Sequence, residues 1–339
     1  MPKVKTNSAP IMNKGFQNWN YLVLNMLAWL ESRPVVREFS VLLSTTVYNI
    51  SSLIDQGIFN NVSLLQGYSE KESNALFGIF AGKYRVLINV PLAIASAMAT
   101  SIVPSLTSAF NSGDEKLVRK QVNMGNRFVM IVAFPCAVGM MVLSSPIMQL
   151  LFNDSSRTAS MMFVIGGCSI VFYSLSTLSN AILQGIDRMI IPVKNAFIAL
   201  VAHVLVLLAL MFIFDLNIYA VVVANAFYAL MMCFLNQSAV LRYSGAYIDI
   251  RRVVLAPFEA SAIMGVIVLL MYKTFNALFA LALSVRIANA IACLLSILIG
   301  AIVYFLALFF FKGIDEETLL KFPGGARLCD IAYSLHLLR

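Results

Sequence analysis

The chain has 339 residues, of which 60% are hydrophobic and 12% are charged, and its formal net charge is +8 at pH 7. Soluble domains carry about 25% charged and about 45–50% apolar residues, so this composition excludes a soluble domain and indicates an integral membrane protein. The positive charge predicts no nucleic-acid partner, because cations in a membrane protein first reflect the side of the bilayer on which they lie.

Residues 1–35 form a polar lead that precedes the first long apolar run. The lead has no early apolar segment followed by a small-residue cleavage site, so we expect no cleavable signal peptide. Its short run YLVLNMLAWLE (21–31) suits a helix that lies in the membrane interface better than one that spans the bilayer. We therefore expect the lead to be cytoplasmic or interfacial.

Eight apolar runs of helix length follow the lead. An α-helix needs about 20 residues to cross about 30 Å of hydrocarbon, and these runs lack the alternation of a membrane barrel. The sequence therefore predicts an all-α, polytopic bundle of about eight transmembrane helices with a cytoplasmic tail at 313–339. The predicted spans are 36–66, 74–110, 121–152, 158–186, 189–214, 217–241, 252–273 and 286–311.

The first predicted span is unusually polar for a membrane helix. Its sequence SVLLSTTVYNISSLIDQGIFNNVSLLQ carries hydroxyl, amide and carboxyl side chains along most of its length. Unpaired polar groups that face lipid cost several kcal/mol each, so this helix must line a cavity or a protein interface. Tyr48, Ser52 and Asp55 are therefore candidate substrate-binding residues.

The second predicted span carries two cations in an otherwise apolar stretch, GKYRVLINVPLAIASAMATSIVPSL (82–106). At 100° per residue, Asn89, Ser96 and Thr100 lie within about 60° of Arg85 and form one polar stripe with it. Lys83 lies about 160° from Arg85 and nearer the outer end, where its stem can extend toward the headgroups. Arg85, Lys83 and Asn89 are candidate substrate-binding residues.

Two interpretations of Arg85 remain open. It can form a structural ion pair with Asp55 on the neighbouring helix, or it can face a hydrated cavity and bind an anionic substrate. A guanidinium group binds phosphate in a bidentate manner and stays charged, which favours the second interpretation. Asp55 can also bind H⁺ or Na⁺ for coupled transport, because an intramembrane carboxylate is costly without a function.

Cation distribution predicts the orientation of the spans. The outer loops hold only Lys71, Arg157, Lys273 and Arg286, and Lys83 and Arg85 lie within the second span. All the other Lys and Arg residues lie on the inner side if the N-terminus is cytoplasmic. The positive-inside rule therefore predicts a protein of the cytoplasmic membrane with both termini in the cytoplasm.

The remaining polar residues favour structural roles, and no enzyme signature is present. The five cysteines lie singly, and His203 has no Cys, Glu or second His at ligand spacing, so we expect no metal, no cofactor and no catalytic residue. We expect His203 to pack between helices and Glu259 to balance Arg251 and Arg252. Helix capping explains a cluster of polar residues around the turn between the fourth and fifth predicted spans, namely Asn180, Gln184, Asp187 and Asn195.

The segment from 82 to 152, with its proline pattern and its VPSLTSAF motif, resembles the polysaccharide biosynthesis or stage V sporulation protein B-type transporters. It is more distantly similar to the MurJ lipid II flippases, and all of these belong to the superfamily that includes the MATE exporters. The resemblance continues through NAILQGIDRMIIPVKNAFIALVAHVLVLL (180–208) and the tail 312–339. It covers nearly the whole chain after about residue 35.

The resemblance implies two six-helix lobes that face each other across a cavity, usually followed by two further helices. Residues 36–245 would be the second lobe and 246–312 the two further helices. The substrate would be an anionic, lipid-linked saccharide or cell-wall precursor, flipped by alternating access. The partners would be this substrate, membrane lipids, and a first lobe supplied by another chain or by a second copy. The MurJ-like pattern also places an arginine about one residue from Arg85.

Two other functions remain open. A MATE-like exporter of organic cations would need acidic cavity residues, which Asp55 favours and which Lys83 and Arg85 oppose. A non-transporting membrane scaffold would fit a chain with one lobe, but it would not explain the polar first span.

Overall fold

A computed structural model describes residues 51–314, 316–319, 326 and 329 of the chain. These residues form helices and connecting turns, with no strand among them, which confirms the predicted all-α membrane bundle. The helices are α1 (51–65), α2 (Glu70–Asn111), α3 (Glu115–Val142), α4 (Ser144–Phe152), α5 (Arg157–Gly166), α6 (Ser169–Gly185), α7 (Ile190–Phe212), α8 (Ile218–Ser244), α9 (Arg251–Phe279), α10 (Val285–Phe310) and α11 (Glu316–Leu319).

Six of the described helices are long and apolar enough to cross a membrane, namely α2, α3, α7, α8, α9 and α10. The pair α5 and α6 would make a seventh span, bent by 51° between its two helices. Helix α1 is the end of the first predicted span, and residues 36–50 of that span lie outside the described residues, as does the predicted interfacial helix at 21–31.

Two predicted spans contain breaks that hydropathy did not indicate. The third, 121–152, divides at Leu143, where φ −98° and ψ 22° leave the helical region and α4 begins. The fourth, 158–186, bends between Gly166 and Ser169. Adjacent small residues are a known cause of sharp helix kinks, and Gly166 and Gly167 supply them here.

Single π-helical turns interrupt α2 and α9, at Phe80–Tyr84 and Arg251–Leu255. A π-turn holds one more residue than an α-turn, so it changes the direction of the side chains next to it. The first π-turn contains Lys83 and ends immediately before Arg85. It therefore sets the directions of both cations relative to each other, and a regular helical wheel does not apply across it.

Side-chain caps fix several helix ends. Ser69 and Glu72 form a reciprocal capping box at the start of α2, with bonds of 3.0 and 3.3 Å. Asp114 caps α3 by accepting the N–H of Leu117 at 3.0 Å, as expected for a polar loop that leads into a helix. In the first turn of α9, Arg252 pairs with Asp249 at 3.6 Å, whereas charge balance by Glu259 stays a prediction.

Helices α9 and α10 pack on each other, α9 also packs on α3, and α10 also packs on α4. Their shared apolar cluster includes Ile131, Met264 and Tyr304. The buried hydroxyl of Tyr304 donates to the carbonyl oxygen of Ile131 at 2.7 Å, and Nε of Arg127 donates to the carbonyl oxygen of Gly313 at 3.1 Å. These contacts hold the last two long helices against the side of the bundle.

Replacing Gly166 with alanine should destabilise the bundle. A Cβ at this position would lie 1.9 Å from the Tyr84 hydroxyl and 2.6 Å from Cγ1 of Val222, both in the packed interior. Overpacking of this kind costs about 1–3 kcal/mol. Gly139→Ala is the matched control, because that Cβ would meet nothing within 4 Å. Thermal unfolding in detergent should show a lower midpoint for Gly166→Ala only, and equal midpoints for both variants would contradict this packing.

Candidate functional site

The predicted polar stripe of α2 lies on one accessible face of that helix. Asn89, Ser96 and Thr100 are exposed, and Arg85 is half-buried. The opposite face of α2 is apolar and buried through Leu87, Pro91 and Ala95 and the residues that follow them. An exposed polar face on a helix long enough to span a membrane requires water or protein opposite it, because lipid cannot satisfy hydroxyl and amide groups.

This face forms one wall of a cavity of about 450 Å³ between α2, α6, α7 and α8. The cavity falls within the size range of small-molecule sites in proteins. Hydroxyl and amide groups project into an otherwise apolar lining, which is the composition that binds a ligand by shape and orients it by a few polar contacts. The polar lining residues are Asn89, Ser96, Tyr173, Ser176, Thr177, Asn180, Gln184 and Tyr228.

A second, small cavity lies beside this wall and is lined by Arg85. Its volume is about 20 Å³, enough for one water molecule, and its lining includes Arg85 and Asn225. Asn89 and Tyr173 line both cavities, so the two spaces share a wall. Arg85 therefore lies next to the larger polar cavity, with Asn89 and Tyr173 between them.

Arg85 bonds to Ser52 and not to Asp55. Its Nη1 donates to Oγ of Ser52, which joins α2 to α1. Within the part of the chain that the structure describes, no ion pair joins Arg85 to Asp55, so the alternative of a structural Arg85–Asp55 pair was wrong. A hydroxyl partner leaves the arginine charge uncompensated, whereas a carboxylate partner would neutralise it.

Lys83 is paired away from both cavities. Its Nζ forms an ion pair with Oδ2 of Asp154, in the turn between α4 and α5. Partial burial raises the pKa of the Asp154 carboxyl, but bonds from Lys83 and from the N–H of Ser156 lower it more, so this pKa lies below its usual range. Lys83 lines neither cavity. Its position fits a structural tie better than the substrate-binding role predicted for it.

Asp55 belongs to a buried polar cluster with His203 and Asn225. Its Oδ1 lies 2.5 Å from Nε2 of His203, and its Oδ2 accepts the side-chain N–H of Asn225 at 2.8 Å. Nδ1 of His203 lies 2.9 Å from the carbonyl oxygen of Ala224. Asp55 and His203 are each 1% exposed. His203 is buried, as expected, but it forms an acid–imidazole pair where only packing was predicted.

Amide side chains connect α6, α7 and α8 beside the large cavity. Asn236 donates to Asn180 at 2.7 Å and accepts from Asn195 at 2.8 Å. Ser179 donates to Gln237 at 2.6 Å. Capping was therefore the wrong role for Asn180 and Asn195, which bond across helices, whereas Asp187 follows the end of α6 with φ 60° as a turn residue does. Asn236 was missed, although adjacent amides in the apolar run MMCFLNQSAV were a visible signal.

The structure brings three of the predicted site residues together. Arg85 and Asn89 line the small cavity, and Ser52 accepts a hydrogen bond from Arg85. Asp55 lies one helical turn from Ser52 on α1, and Asn225, which contacts Asp55, lines the small cavity. Tyr48 lies outside the described residues. No group of three or more His, Cys, Asp or Glu that could hold a metal ion occurs among the described positions.

Comparison with known protein families assigns the chain to one of them. The model of the family described as "Lipid II flippase MurJ" matches residues 84–315, which is more than half of the chain and includes Arg85 and all the residues that line the larger cavity. The chain belongs to the MurJ family. The predicted resemblance to the MATE-like flippase superfamily is thereby confirmed, and the family that matches is the one that the sequence suggested as the more distant relative.

Two relatives come from Bacillus subtilis (strain 168). The MurJ-family chain is 28% identical over 172 residues to "Lipid II flippase MurJ", an alignment that covers 50% of the chain and 30% of that protein. It is 24% identical over 300 residues to "Uncharacterized membrane protein YabM", which covers 88% of the chain and 54% of that protein. The chain thus spans between about a third and about half of the length of these relatives.

Membership of the MurJ family establishes the class of protein. MurJ-family flippases are transporters and not enzymes, which confirms the prediction from the absence of enzyme motifs. The family match and the six or seven candidate spans make this a multi-pass protein of the cell membrane.

Proposed function

We propose that this chain is one lobe of a flippase that moves a lipid-linked anionic saccharide across the cytoplasmic membrane by alternating access. The observation that carries the proposal is that Arg85 lines a small cavity which shares Asn89 and Tyr173 with the polar cavity of about 450 Å³. The name of the Bacillus subtilis relative, "Lipid II flippase MurJ", supports a cell-wall precursor as the substrate class.

The chemistry of the site suits the two parts of such a headgroup. Arg85 would bind the phosphate or diphosphate, because its fork of N–H donors matches phosphate oxygens and no carboxylate among the described residues pairs with it. Asn89, Ser96 and Thr177 offer hydroxyl and amide groups of the kind that bond to sugar hydroxyls. The lipid tail would stay in the bilayer while the headgroup crosses within the bundle.

A second lobe would complete the cavity. The polar face of α2 is exposed through Asn89, Ser96 and Thr100, and unpaired polar groups cost several kcal/mol in lipid. The partner would be a matching lobe from another chain or a second copy of this one. In this arrangement 36–245 would form the lobe and 246–312 the two additional helices, α9 and α10, which pack on α3 and on α4 respectively.

The cation-exporter alternative loses its main support, because Asp55 is 1% exposed and is bonded to His203 and Asn225. An organic cation would need a carboxylate that reaches the cavity. The scaffold alternative would leave the exposed polar stripe and the polar cavity without a purpose, and an active flippase assay would exclude it.

Blocking the cavity should stop transport. Ser96→Trp places a large ring in the cavity wall, whereas Val201→Trp adds the same ring to a position on α7 that is 47% exposed. The assay follows a fluorescent polyprenyl-diphosphate saccharide in membrane vesicles from cells that produce the protein. We expect Ser96→Trp to abolish flipping and Val201→Trp to retain it. Normal flipping by Ser96→Trp at normal protein levels would refute this site.

The Lys116 end of the bundle should face the cytoplasm, because most described cations lie at that end and Lys71, Arg157, Lys273 and Arg286 lie at the other. Single cysteines test this on a background with Cys168→Ser, which removes the exposed thiol among the described cysteines. An impermeant reagent added to intact cells should label Lys71→Cys and Lys273→Cys, and it should not label Lys116→Cys. Strong labelling at Lys116→Cys would overturn this orientation.

A further inference from the structure

The hydrogen bonds around His203 determine how many protons the buried cluster holds. Nδ1 lies 2.9 Å from the carbonyl oxygen of Ala224. A carbonyl oxygen only accepts hydrogen bonds, so Nδ1 must carry a hydrogen. On the other side of the ring, Nε2 lies 2.5 Å from Oδ1 of Asp55. A carboxylate oxygen also only accepts, so a neutral ring would place two lone pairs against each other at this distance.

The contact between Nε2 and Oδ1 is attractive only if one proton lies between them. The second carboxylate oxygen, Oδ2, is already satisfied by the side-chain N–H of Asn225 at 2.8 Å. The pair therefore holds one more proton than a neutral imidazole and a carboxylate would hold. The proton belongs to the pair as a unit, whichever of the two atoms carries it.

We infer that Asp55 and His203 form a proton-binding site that couples proton movement to the conformational change of this lobe. The pair holds one proton in the conformation described here and releases it when α1 and α7 separate. The binding of the proton stands on the geometry of the pair alone. Its coupling to transport rests on the proposed function.

Loss of the proton would change the contact between α1 and α7 from attraction to repulsion. The deprotonated pair would carry one negative charge in a site where both side chains are 1% exposed, and an uncompensated buried charge is strongly unfavourable. Separation of the two helices relieves this cost by admitting water. Reprotonation would restore the bond and draw α1 back to α7.

Helix α1 connects this proton site to Arg85. Ser52 lies three residues before Asp55, so both side chains project from the same side of α1, and Ser52 accepts a hydrogen bond from Arg85. A displacement of α1 away from α7 would therefore also move the protein partner of Arg85. Protonation of Asp55 and His203 and the availability of Arg85 for an anion are linked through one rigid helix.

Asn225 lies between the proton site and the small cavity. Its side chain contacts Asp55 and also lines the small cavity of about 20 Å³ that contains Arg85. Tyr173 lines this cavity and the larger polar cavity, and its hydroxyl lies 3.3 Å from the carbonyl oxygen of Asn225. One water molecule in the small cavity would bring the aqueous cavity to the edge of the cluster.

The other described groups that face the pair do not change charge near neutral pH. Besides the pair, these neighbours are arginine and tyrosine side chains; guanidinium groups in general stay charged in proteins, and tyrosine hydroxyl groups ordinarily titrate near pH 10. The ring of Tyr228 meets the ring of His203 at a centroid distance of 5.8 Å, edge to face. The tyrosines around the cluster are Tyr84, Tyr173 and Tyr228. A pH response of this cluster would therefore come from Asp55 and His203.

Nitrogen NMR tests the proton directly and without a transport assay. The chain has two histidines, so His336→Gln leaves His203 as the single imidazole for labelling with ¹⁵N. Near pH 7 in lipid nanodiscs, we expect the Nε2 signal to be displaced from the position of a bare nitrogen toward that of a protonated one. Asp55→Asn in the same background is the matched control, because an asparagine N–H can donate to a bare Nε2 and the signal should then return to the bare position.

A bare Nε2 signal in the protein that retains Asp55 would overturn the proton site. Coupling is tested in vesicles with an imposed pH difference of about one unit, which can shift the leaflet distribution of a one-proton flippase about tenfold. The probe is the fluorescent polyprenyl-diphosphate saccharide. We expect Asp55→Asn and His203→Gln to lose this response, and an equal sodium gradient should have no effect on the parent protein.

The two proposals can fail separately. The coupling would be overturned if the Nε2 signal is displaced but the leaflet distribution of the probe does not change with the pH difference. It would also be overturned if that distribution changes with the sodium gradient instead. A displaced Nε2 signal without flipping under any condition would contradict the proposed function, and it would leave the proton site supported.

Discussion

Arg85→Ala should abolish flipping of a diphosphate-linked saccharide while the protein accumulates at a near-normal level. The loss follows from the removal of the cation that lines the small cavity beside the polar one, and hydrogen bonds to charged groups are worth about 1.5–3 kcal/mol each, or about 10-fold to 150-fold. Accumulation should survive because the partner left behind is the neutral hydroxyl of Ser52 and not a buried carboxylate. Arg85→Lys should restore flipping only in part, since an ammonium group keeps the charge and loses the bidentate fork.

Ser52→Ala is the control that separates a binding role from a structural one. This change removes the side-chain partner of Arg85 and leaves the guanidinium group in place. If Arg85 binds the substrate, Ser52→Ala should remain active. If Arg85 instead acts by tying α2 to α1, both changes should impair flipping equally, and that result would remove Arg85 from the substrate site. Flipping rates in vesicles, normalised to protein level, provide the comparison.

His203→Leu should reduce the stability of the bundle more than any single change to the cavity wall. It would leave Asp55, which is 1% exposed, without its imidazole partner, and removal of one partner from a buried pair costs about 3–5 kcal/mol. The protein should accumulate poorly, and its thermal unfolding midpoint in detergent should fall.

The double change His203→Leu with Asp55→Asn should recover much of this stability, because no buried charge remains and the asparagine oxygen can still accept from Asn225. A His203→Leu protein that accumulates and unfolds like the parent would show that the pair is not a structural tie. A double variant that is no more stable than His203→Leu would show that the loss comes from the cavity left by the ring and not from the stranded acid.

The helices could be predicted from sequence because span length and hydropathy are set by bilayer thickness. The breaks at Leu143 and at Gly166 were missed because a prediction from hydropathy averages over each run, although the sequences LSSP (143–146) and GGCS (166–169) carry small residues and a proline that favour a helix break. The π-turn at Phe80–Tyr84 was also invisible, because it depends on backbone packing and not on composition.

The site was predictable in part, because the periodicity of a helix places residues on a common face. Helical periodicity placed Arg85 and Asn89 on one face of α2, and both line the small cavity. Periodicity could not give the rotation of α1 relative to α2. One interpretation therefore paired Asp55 with Arg85, whereas Asp55 bonds to His203 and Asn225. The acid–imidazole pair was missed because its members are 148 positions apart in the sequence, and ligand spacing detects only local partners.

The most direct measurement of the central claim compares headgroups that differ only in charge. Membrane vesicles from cells that produce the protein would be given a fluorescent polyprenyl saccharide with a diphosphate linkage or with a neutral ether linkage, against vesicles from cells that lack the protein. Recognition of the anion through Arg85 predicts protein-dependent flipping of the diphosphate lipid only, and its loss in Arg85→Ala. Equal flipping of both lipids, or flipping of the diphosphate lipid that does not change in Arg85→Ala, would contradict the claim that this lobe recognises its substrate by negative charge.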